Sequence, residues 1–176
     1  MKVSKSLTQV VLNLHLEHIV ACGDGANTEH HSKCEVLKLD DDTWTDITAY
    51  PFSSVYYKFT VLFSSDGFYF FGGKEDKIDY ERRGSVSRLD SKTFDWEYLG
   101  QLNQQRKKLS AIEINGEFLI IGGESDKGDE LKSEKCILDN TGNVTYVTCF
   151  SQEPILPNHK DSSALFRVNA DYCHFE

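Results

Sequence analysis

The sequence has little proline, no long apolar run and no excess of basic residues. Only three of its 176 residues are proline and no tract is of low complexity, which argues against wholesale disorder. No apolar stretch approaches the ~20 residues of a membrane-spanning helix. The net charge of −9 argues against a nucleic-acid binder, because phosphate neutralisation requires a basic surface. The same charge predicts no attraction to anionic membranes and a mild preference for basic partner surfaces.

Cysteine motifs are also missing. The chain has five cysteines and no CxxC pair: Cys22, Cys34, Cys136, Cys149 and Cys173. This pattern predicts small buried residues of a reducing compartment and not a disulfide framework. The first residues offer no clean signal-peptide cleavage site, and the lone glycosylation sequon at Asn143 means little without secretion. The sequence therefore predicts a cytoplasmic protein, with the nucleus as the alternative.

A repeat is the main feature that the sequence does have. The segments HIVACG, FYFFGG and FLIIGG end in Gly23, Gly73 and Gly123, which are spaced fifty residues apart. A Leu-Asp step follows in each unit, and its acidic residues are Asp40, Asp90 and Asp139. Two landmarks that keep one period to within one residue predict three copies of one structural unit.

Each copy has the pattern of four antiparallel strands. Short apolar runs at residues 58–63 and 109–114 are followed by Asp-Gly and Asn-Gly turns, which tolerate positive φ. Continuous apolar runs at residues 68–71 and 118–121 then predict strands buried on both faces. A double glycine ends that strand, where backbones pass closely or adopt conformations closed to other residues. A third strand ends in Leu-Asp, and the fourth carries tryptophan in the first two copies.

The pattern gives structural roles to nine residues: Gly23, Gly72, Gly73, Gly122, Gly123, Asp40, Asp90, Trp44 and Trp96. Four strands per unit, without helical periodicity, predict an all-β fold of propeller blades. The double glycines could instead cradle a phosphate, but such loops open a helix and none is predicted here.

These residues resemble the Kelch-repeat family. Its repeat runs as an apolar strand, a double glycine, an acidic loop, an aromatic-Asp-x-x-Thr step and a tryptophan, and Arg106 stands where the family often has an arginine. The resemblance extends from about residue 7 to residue 175 and implies a β-propeller. Cys22 replaces the first glycine of unit one, leucine replaces the aromatic residue in all three units, and unit three lacks the tryptophan.

The predicted units span residues 7–49, 55–100 and 106–150, and residues 160–176 resemble the first half of a fourth. Three and a half blades do not close a ring, because propellers typically have about four to eight. Three interpretations remain open. The sequence is a fragment of a longer propeller, two copies combine into one ring, or an open arc is capped by its own termini.

Loops at the blade ends are the predicted binding surface. In one of them Tyr80, Arg82 and Arg83 suit recognition of an acidic peptide segment, because arginine forks and tyrosine rings are common anchors at interfaces. A second basic cluster, Arg106, Lys107 and Lys108, lies on a connection between blades. The alternatives are a solvated loop for the first cluster and packing against a neighbouring blade for Arg106.

No cofactor or metal site is predicted. Glu29, His30, His31 and Cys34 lie close together, but zinc sites usually need four ligands at characteristic spacings. No nucleophile motif of the GxSxG kind occurs. The Kelch resemblance implies a protein-interaction scaffold, such as part of a ubiquitin-ligase adaptor or a cytoskeleton-associated protein. The alternative is a fragment of a Kelch-fold enzyme such as an oxidase or a mutarotase.

Overall fold

The computed structural model of the chain describes residues 6–13, 18–24, 33–40, 42–47, 56–57, 59–75, 84–125, 132–141 and 144–152. Within these ranges the backbone forms β-strands and no helix. The described residues therefore contain no helix that could span a membrane. In chain order the strands are β1 (Ser6–Asn13), β2 (His18–Asp24), β3 (Lys33–Lys38), β4 (Thr43–Asp46), β5 (Tyr56–Tyr57), β6 (Thr60–Ser64), β7 (Gly67–Phe71), β8 (Lys74–Glu75), β9 (Ser85–Asp90), β10 (Trp96–Gln101), β11 (Ser110–Ile114), β12 (Glu117–Ile121), β13 (Glu134–Thr141) and β14 (Val144–Ser151). The predicted all-β class is confirmed.

The strands form three four-stranded antiparallel sheets. Sheet I has the order β1-β2-β3-β4, sheet II the order β6-β7-β9-β10, and sheet III the order β11-β12-β13-β14. The short strands β5 and β8 pair with each other. Each sheet is therefore a local up-and-down meander, because every strand pairs with its neighbours in sequence apart from the small β5–β8 ribbon.

Tight turns set the register of these meanders. Ile114 pairs with Glu117, so the turn between β11 and β12 contains only Asn115 and Gly116. Their φ angles are 54° and 80°, and two successive positive values match the right-handed twist of a hairpin. The turn between β6 and β7 has the same length. The expected tight turn at Asn-Gly is confirmed.

Strand β7 of sheet II is buried on both faces. Phe68 and Phe70 of β7 pack with Val36 of sheet I and Leu89 of β9 in the core between sheets I and II. Every residue of β7 is buried. Continuous apolar character is what a strand between two layers requires, since neither face meets water.

A second core fills the space between sheets II and III. Tyr69 and Phe71, which alternate with the residues of the first core along β7, pack against Phe118 of β12. The ring centroids of Tyr69 and Phe118 are 4.7 Å apart, and those of Phe71 and Phe118 are 5.2 Å apart. Three sheets are thus stacked in chain order around two cores.

The first strand of each sheet lies on the same side of the stack. Strand β6 contacts β1 in one direction and β11 in the other. The chain consequently returns to one edge each time it starts a new sheet. The predicted fourth unit, residues 160–176, lies outside the described residues.

Candidate functional site

The double glycines lie at one end of the stack of sheets. At this end the connection from sheet II to sheet III passes from one sheet to the next. Gly72 and Gly73 have φ angles of 61° and 112°. A Cβ atom on Gly72 would lie 2.4 Å from the carbonyl oxygen of Arg106, and the Gly73 amide donates to that same oxygen over 3.0 Å. The missing side chain therefore allows the connection, residues 102–109, to run across the end of β7.

The second double glycine receives the same connection from the other side. Gly123 has a φ of 101°, and a Cβ atom there would lie 2.8 Å from the carbonyl oxygen of Lys107. The amides of Lys107 and Glu124 donate to each other's carbonyl oxygens over 3.1 and 2.8 Å. The two glycine pairs thus hold one stretch of backbone between the ends of β7 and β12.

Arg106 is enclosed at the centre of this end. Its Nη2 lies 2.6 Å from Oε1 of Glu134, and both side chains have an exposed fraction of 0%. The guanidinium also donates to the carbonyl oxygens of Gly122 and Lys132 over 3.1 and 2.7 Å. A buried cation requires this number of acceptors, because desolvation is otherwise not recovered.

Glu134 is equally well satisfied. Besides Arg106, its carboxylate accepts from the backbone amides of Asn103 over 2.6 Å and Gln104 over 2.9 Å. Burial lowers the pKa of Arg106, and the charge of Glu134 and its hydrogen bond oppose that shift. Even so, a guanidinium titrates far above neutral pH, so Arg106 stays charged.

The predicted basic cluster is therefore not a binding surface as a whole. Arg106 is buried, which agrees with the alternative of a packing role and places its guanidinium out of reach of a partner. Lys107 and Lys108 are partly buried, and both ammonium groups approach Glu124, at 3.8 and 2.5 Å. The sequence placed three cations side by side, but acidic residues of this chain lie against each of them.

The same contacts fix both ends of the loop between β12 and β13. At its start Glu124 is tied to Lys107 by the paired backbone hydrogen bonds. At its end the amide of Lys132 donates to the Gln104 side chain over 2.8 Å, and its carbonyl oxygen accepts from Arg106. The described residues on either side of this loop, Glu124 and Lys132, are therefore both anchored to the stack, which is the arrangement of a loop presented by a rigid scaffold.

Several predicted site residues lie outside the described part of the chain. Tyr80, Arg82 and Arg83 are among them, as are the candidate metal ligands Glu29, His30 and His31. Gly23 lies within β2, where it pairs with Lys33 of β3.

Asp90 and its neighbours form a turn at the opposite end of sheet II. The carboxylate of Asp90 accepts from the amides of Lys92 and Thr93 over 2.8 and 2.9 Å. These hydrogen bonds, chiefly the one from Thr93, lower the pKa of Asp90. This contact gives the Asp-x-x-Thr pattern a physical meaning, because the side chain replaces backbone partners that the turn lacks. Asp40 lies in the corresponding exposed turn of sheet I.

The two tryptophans lie on the same side of their sheets. Trp96 packs on Phe70 with ring centroids 4.7 Å apart, in the core between sheets I and II. Trp96 pairs with Leu89 of β9, and Trp44 pairs with Leu37 of β3, which lies on the same face of its strand as Leu39, the counterpart of Leu89. By register, Trp44 therefore lies on the face of sheet I directed away from sheet II.

A polar cluster on β6–β10 was not expected from the sequence. The Tyr69 hydroxyl donates to the Asp66 carboxylate at 3.0 Å, and Arg88 pairs with Asp66 and Glu97 at 2.6 and 2.7 Å. Burial raises the pKa of Tyr69, and the charge of Asp66 adds to that shift. Asp66 lies in the turn between β6 and β7, and the other three residues come from three different strands, so no spacing in the sequence predicts the cluster.

The cysteines also differ from the prediction. Cys136 and Cys149 form a disulfide between directly paired positions of β13 and β14, and Cys34 is disulfide-bonded too. The expectation of unpaired buried thiols is therefore wrong for these three residues. Disulfides persist mainly in oxidising compartments, so the cysteine argument behind the cytoplasmic prediction no longer holds.

Glu134, Cys136 and Cys149 place a carboxylate oxygen and two sulfur atoms within 4.8 Å of one another. Metal-binding proteins use such donors, but here each has another role. The two sulfur atoms are joined to each other, and the carboxylate accepts from Arg106 and two backbone amides.

Comparison with known proteins yields a likeness of fold alone. No family model matches the chain, and no curated protein matches it. Among the solved structures that resemble it is one described as "Structure of YjhT", at 14% sequence identity and a TM-score of 0.59. The match covers 81% of this chain and 50% of that one, so the chain spans about half the length of the structure it resembles.

Proposed function

We propose that the chain is part of a Kelch-type β-propeller that binds another protein through the loops at the double-glycine end of its sheets. Three four-stranded meanders stacked in chain order, with their first strands along one edge, support the propeller arrangement. The half-length match to a longer solved structure supports the presence of further blades in the working molecule.

The observation that carries the binding function is the anchoring of the loop between β12 and β13. Arg106, Glu134 and Gln104 tie its base to the connection between sheets II and III. Rigid bases reduce the conformational entropy that a loop loses when it binds a partner. In an interaction scaffold the strands pack the core, and loops held at both ends form the binding surface.

Tyr80, Arg82 and Arg83 belong to the equivalent loop between β7 and β9. With Arg106, Lys107 and Lys108 engaged within the chain, this loop carries the proposed recognition of an acidic peptide segment. Two adjacent guanidinium groups can each form paired hydrogen bonds with a carboxylate.

The experiment is a binding assay against an array of synthetic acidic peptides, with charge-reversed basic peptides as comparison. Arg82→Glu together with Arg83→Glu is expected to weaken acidic-peptide binding by about tenfold or more, which equals ~1.4 kcal/mol. Lys38→Glu with Lys92→Glu makes the same charge change at exposed positions near the opposite end and is expected to retain binding. Equal loss in both variants, or no acidic-peptide binding by the wild type, would overturn the proposal.

A further inference from the structure

Strand β14 forms the open outer edge of sheet III. It pairs with β13 along its whole length, from Glu134 opposite Ser151 to Thr141 opposite Val144. Within the described residues no strand pairs with its other edge. An open edge offers a row of peptide groups to any extended chain that can reach it.

The outer edges of the other two sheets are protected in ways that β14 is not. Strand β4 has four residues and ends in Asp46. Strand β10 carries Glu97 and a register shift between Tyr98 and Gly100. Charges, bulges and short length are the usual means by which proteins prevent edge pairing. Strand β14 has eight residues without a register shift, and no residue from 140 to 152 is charged or proline.

The hydrogen-bond phase of β14 identifies the peptide groups at the open edge. The Gln152 amide donates to the Ser133 carbonyl oxygen over 2.7 Å, so these two residues form a hydrogen-bonded pair. Such pairs alternate along an antiparallel ladder with pairs whose Cα atoms lie closer together. Cys136 and Cys149, with Cα atoms 4.1 Å apart, fit the second class. The peptide groups of the odd-numbered residues, 145 to 151, therefore face the open edge.

Three even-numbered side chains lie beside this edge on the outer face of sheet III. They are Tyr146, Thr148 and Phe150, placed opposite Asp139, Ile137 and Lys135 of β13. Phe150 is 49% exposed, and Thr148 is exposed as well. The Tyr146 hydroxyl donates to Asp139 over 3.2 Å, which holds its ring on this face.

We propose that β14 pairs antiparallel with β14 of a second copy of this chain, about a twofold axis at Thr148. The two sheets III then form one continuous eight-stranded sheet. Val147 of one copy exchanges backbone hydrogen bonds with Cys149 of the other, in keeping with the phase of the edge. This contact is centred on Thr148, in the middle of β14, and does not depend on the proposed peptide binding.

The side chains select this register. With the axis at Thr148, the two Thr148 side chains face each other and Tyr146 of each copy faces Phe150 of the other. Aromatic pairs and threonine pairs across strands are both favourable. A shift of two residues in either direction would place Thr148 opposite an aromatic ring and lose both kinds of pair. No like charges meet across the axis, because the segment is uncharged.

Strand β10 of sheet II packs beside β14. A Cβ atom on Gly100 of β10 would lie 3.1 Å from the Val147 carbonyl oxygen. Because residue 100 is glycine, no side chain at this position crowds the Val147 peptide group that the second copy must reach.

The test is the molar mass of the purified chain, measured by light scattering during gel filtration over a wide concentration range. The wild type is expected to reach the mass of two chains. Thr148→Lys and Thr148→Glu should each halve that mass, because two like charges would then meet at the axis. An equimolar mixture of these two variants should restore a one-to-one dimer, since lysine then faces glutamate.

Thr45→Lys on the outer strand of sheet I is the matched control, because Thr45 is also an exposed threonine in an outer strand. It should leave the mass of two chains unchanged. Far-UV circular dichroism of every variant checks that the sheets are retained. A monomeric wild type, a Thr148→Lys protein that remains dimeric, or a mixture that stays monomeric would each overturn the proposal.

Discussion

Arg106 Nη2 and Glu134 Oε1 lie 2.6 Å apart in a site from which water is excluded, and the pair joins two segments that are 28 residues apart in sequence. Arg106 belongs to the connection that leaves sheet II, and Glu134 begins the third strand of sheet III. Their contact therefore fixes where one sheet starts relative to the other.

Glu134→Gln is expected to destabilise the chain by about 3–5 kcal/mol, because it leaves the Arg106 charge buried without a counter-charge. Arg106→Met combined with Glu134→Gln should cost less than Glu134→Gln alone, since no unpaired charge then remains. Urea unfolding of the full chain measures both. Lys135→Met, which breaks the half-exposed contact with Glu117, is the control and should cost under about 1 kcal/mol. Similar losses for Glu134→Gln and Lys135→Met would contradict the assignment.

Gly72→Ala is expected to be among the most damaging single-methyl additions in the chain. Positive φ costs a non-glycine residue about 1–2 kcal/mol, and overpacking against the Arg106 carbonyl and Leu109 adds about 1–3 kcal/mol. Gly116→Ala is the matched control, because Gly116 also has positive φ but no atom within 4 Å of the new Cβ. Thermal unfolding of the two variants should therefore differ, and equal midpoints would show that the close approach at Gly72 costs nothing.

Asp90→Ala should lower stability at neutral pH by roughly 1 kcal/mol, through loss of the two turn hydrogen bonds. Because hydrogen bonding lowers the pKa of Asp90 in the folded state, its contribution is complete above the unfolded value of about 3.9 and is lost as the pH falls through the folded value. Wild type and variant should therefore converge in urea unfolding as the pH falls below about 4. Asp95→Ala, on the same turn, is the control. If the stability difference between wild type and Asp90→Ala persisted undiminished in acid, the ionised Asp90 carboxylate would not be the source of the stabilisation.

The disulfide between Cys136 and Cys149 gives a direct chemical prediction. Digestion without reductant by a protease that cleaves after Tyr146 should yield one cross-linked peptide pair that contains both residues. Replacing both by serine should lower stability by about 3 kcal/mol, the value for a closed loop of about 15 residues. Titration of two free thiols at these positions in the purified, non-reduced chain would refute the bond.

Three features could be predicted from the sequence because each depends on local chemistry. They are the fifty-residue period, the turns and the double glycines. Asn115-Gly116 demands positive φ, and the apolar run of β7 demands two covered faces. The fate of Arg106 was not readable in the same way, because its partner Glu134 is distant in sequence and only the stacking of sheets brings the two together.

The disulfide is a different case, because the sequence did contain a signal for it. Cys136 and Cys149 are equally far from the two-residue connection between Thr141 and Val144. Any hairpin with that turn places them opposite each other. Counting outward from a predicted turn would have found this pair, whereas counting the total number of cysteines missed it.

Consecutive residues of β7 belong to different cores, and this alternation divides the stability of the stack. Phe70 contributes to the contact with sheet I, and Phe71 to the contact with sheet III. The free energy of the stack is then close to a sum of terms between adjacent layers, as in repeat proteins. Sheet II contributes to two of these interlayer terms, one with sheet I and one with sheet III. In the described structure each of these neighbours contributes to one. The backbone amides of β7 are accordingly the ones that only global unfolding would expose to hydrogen exchange.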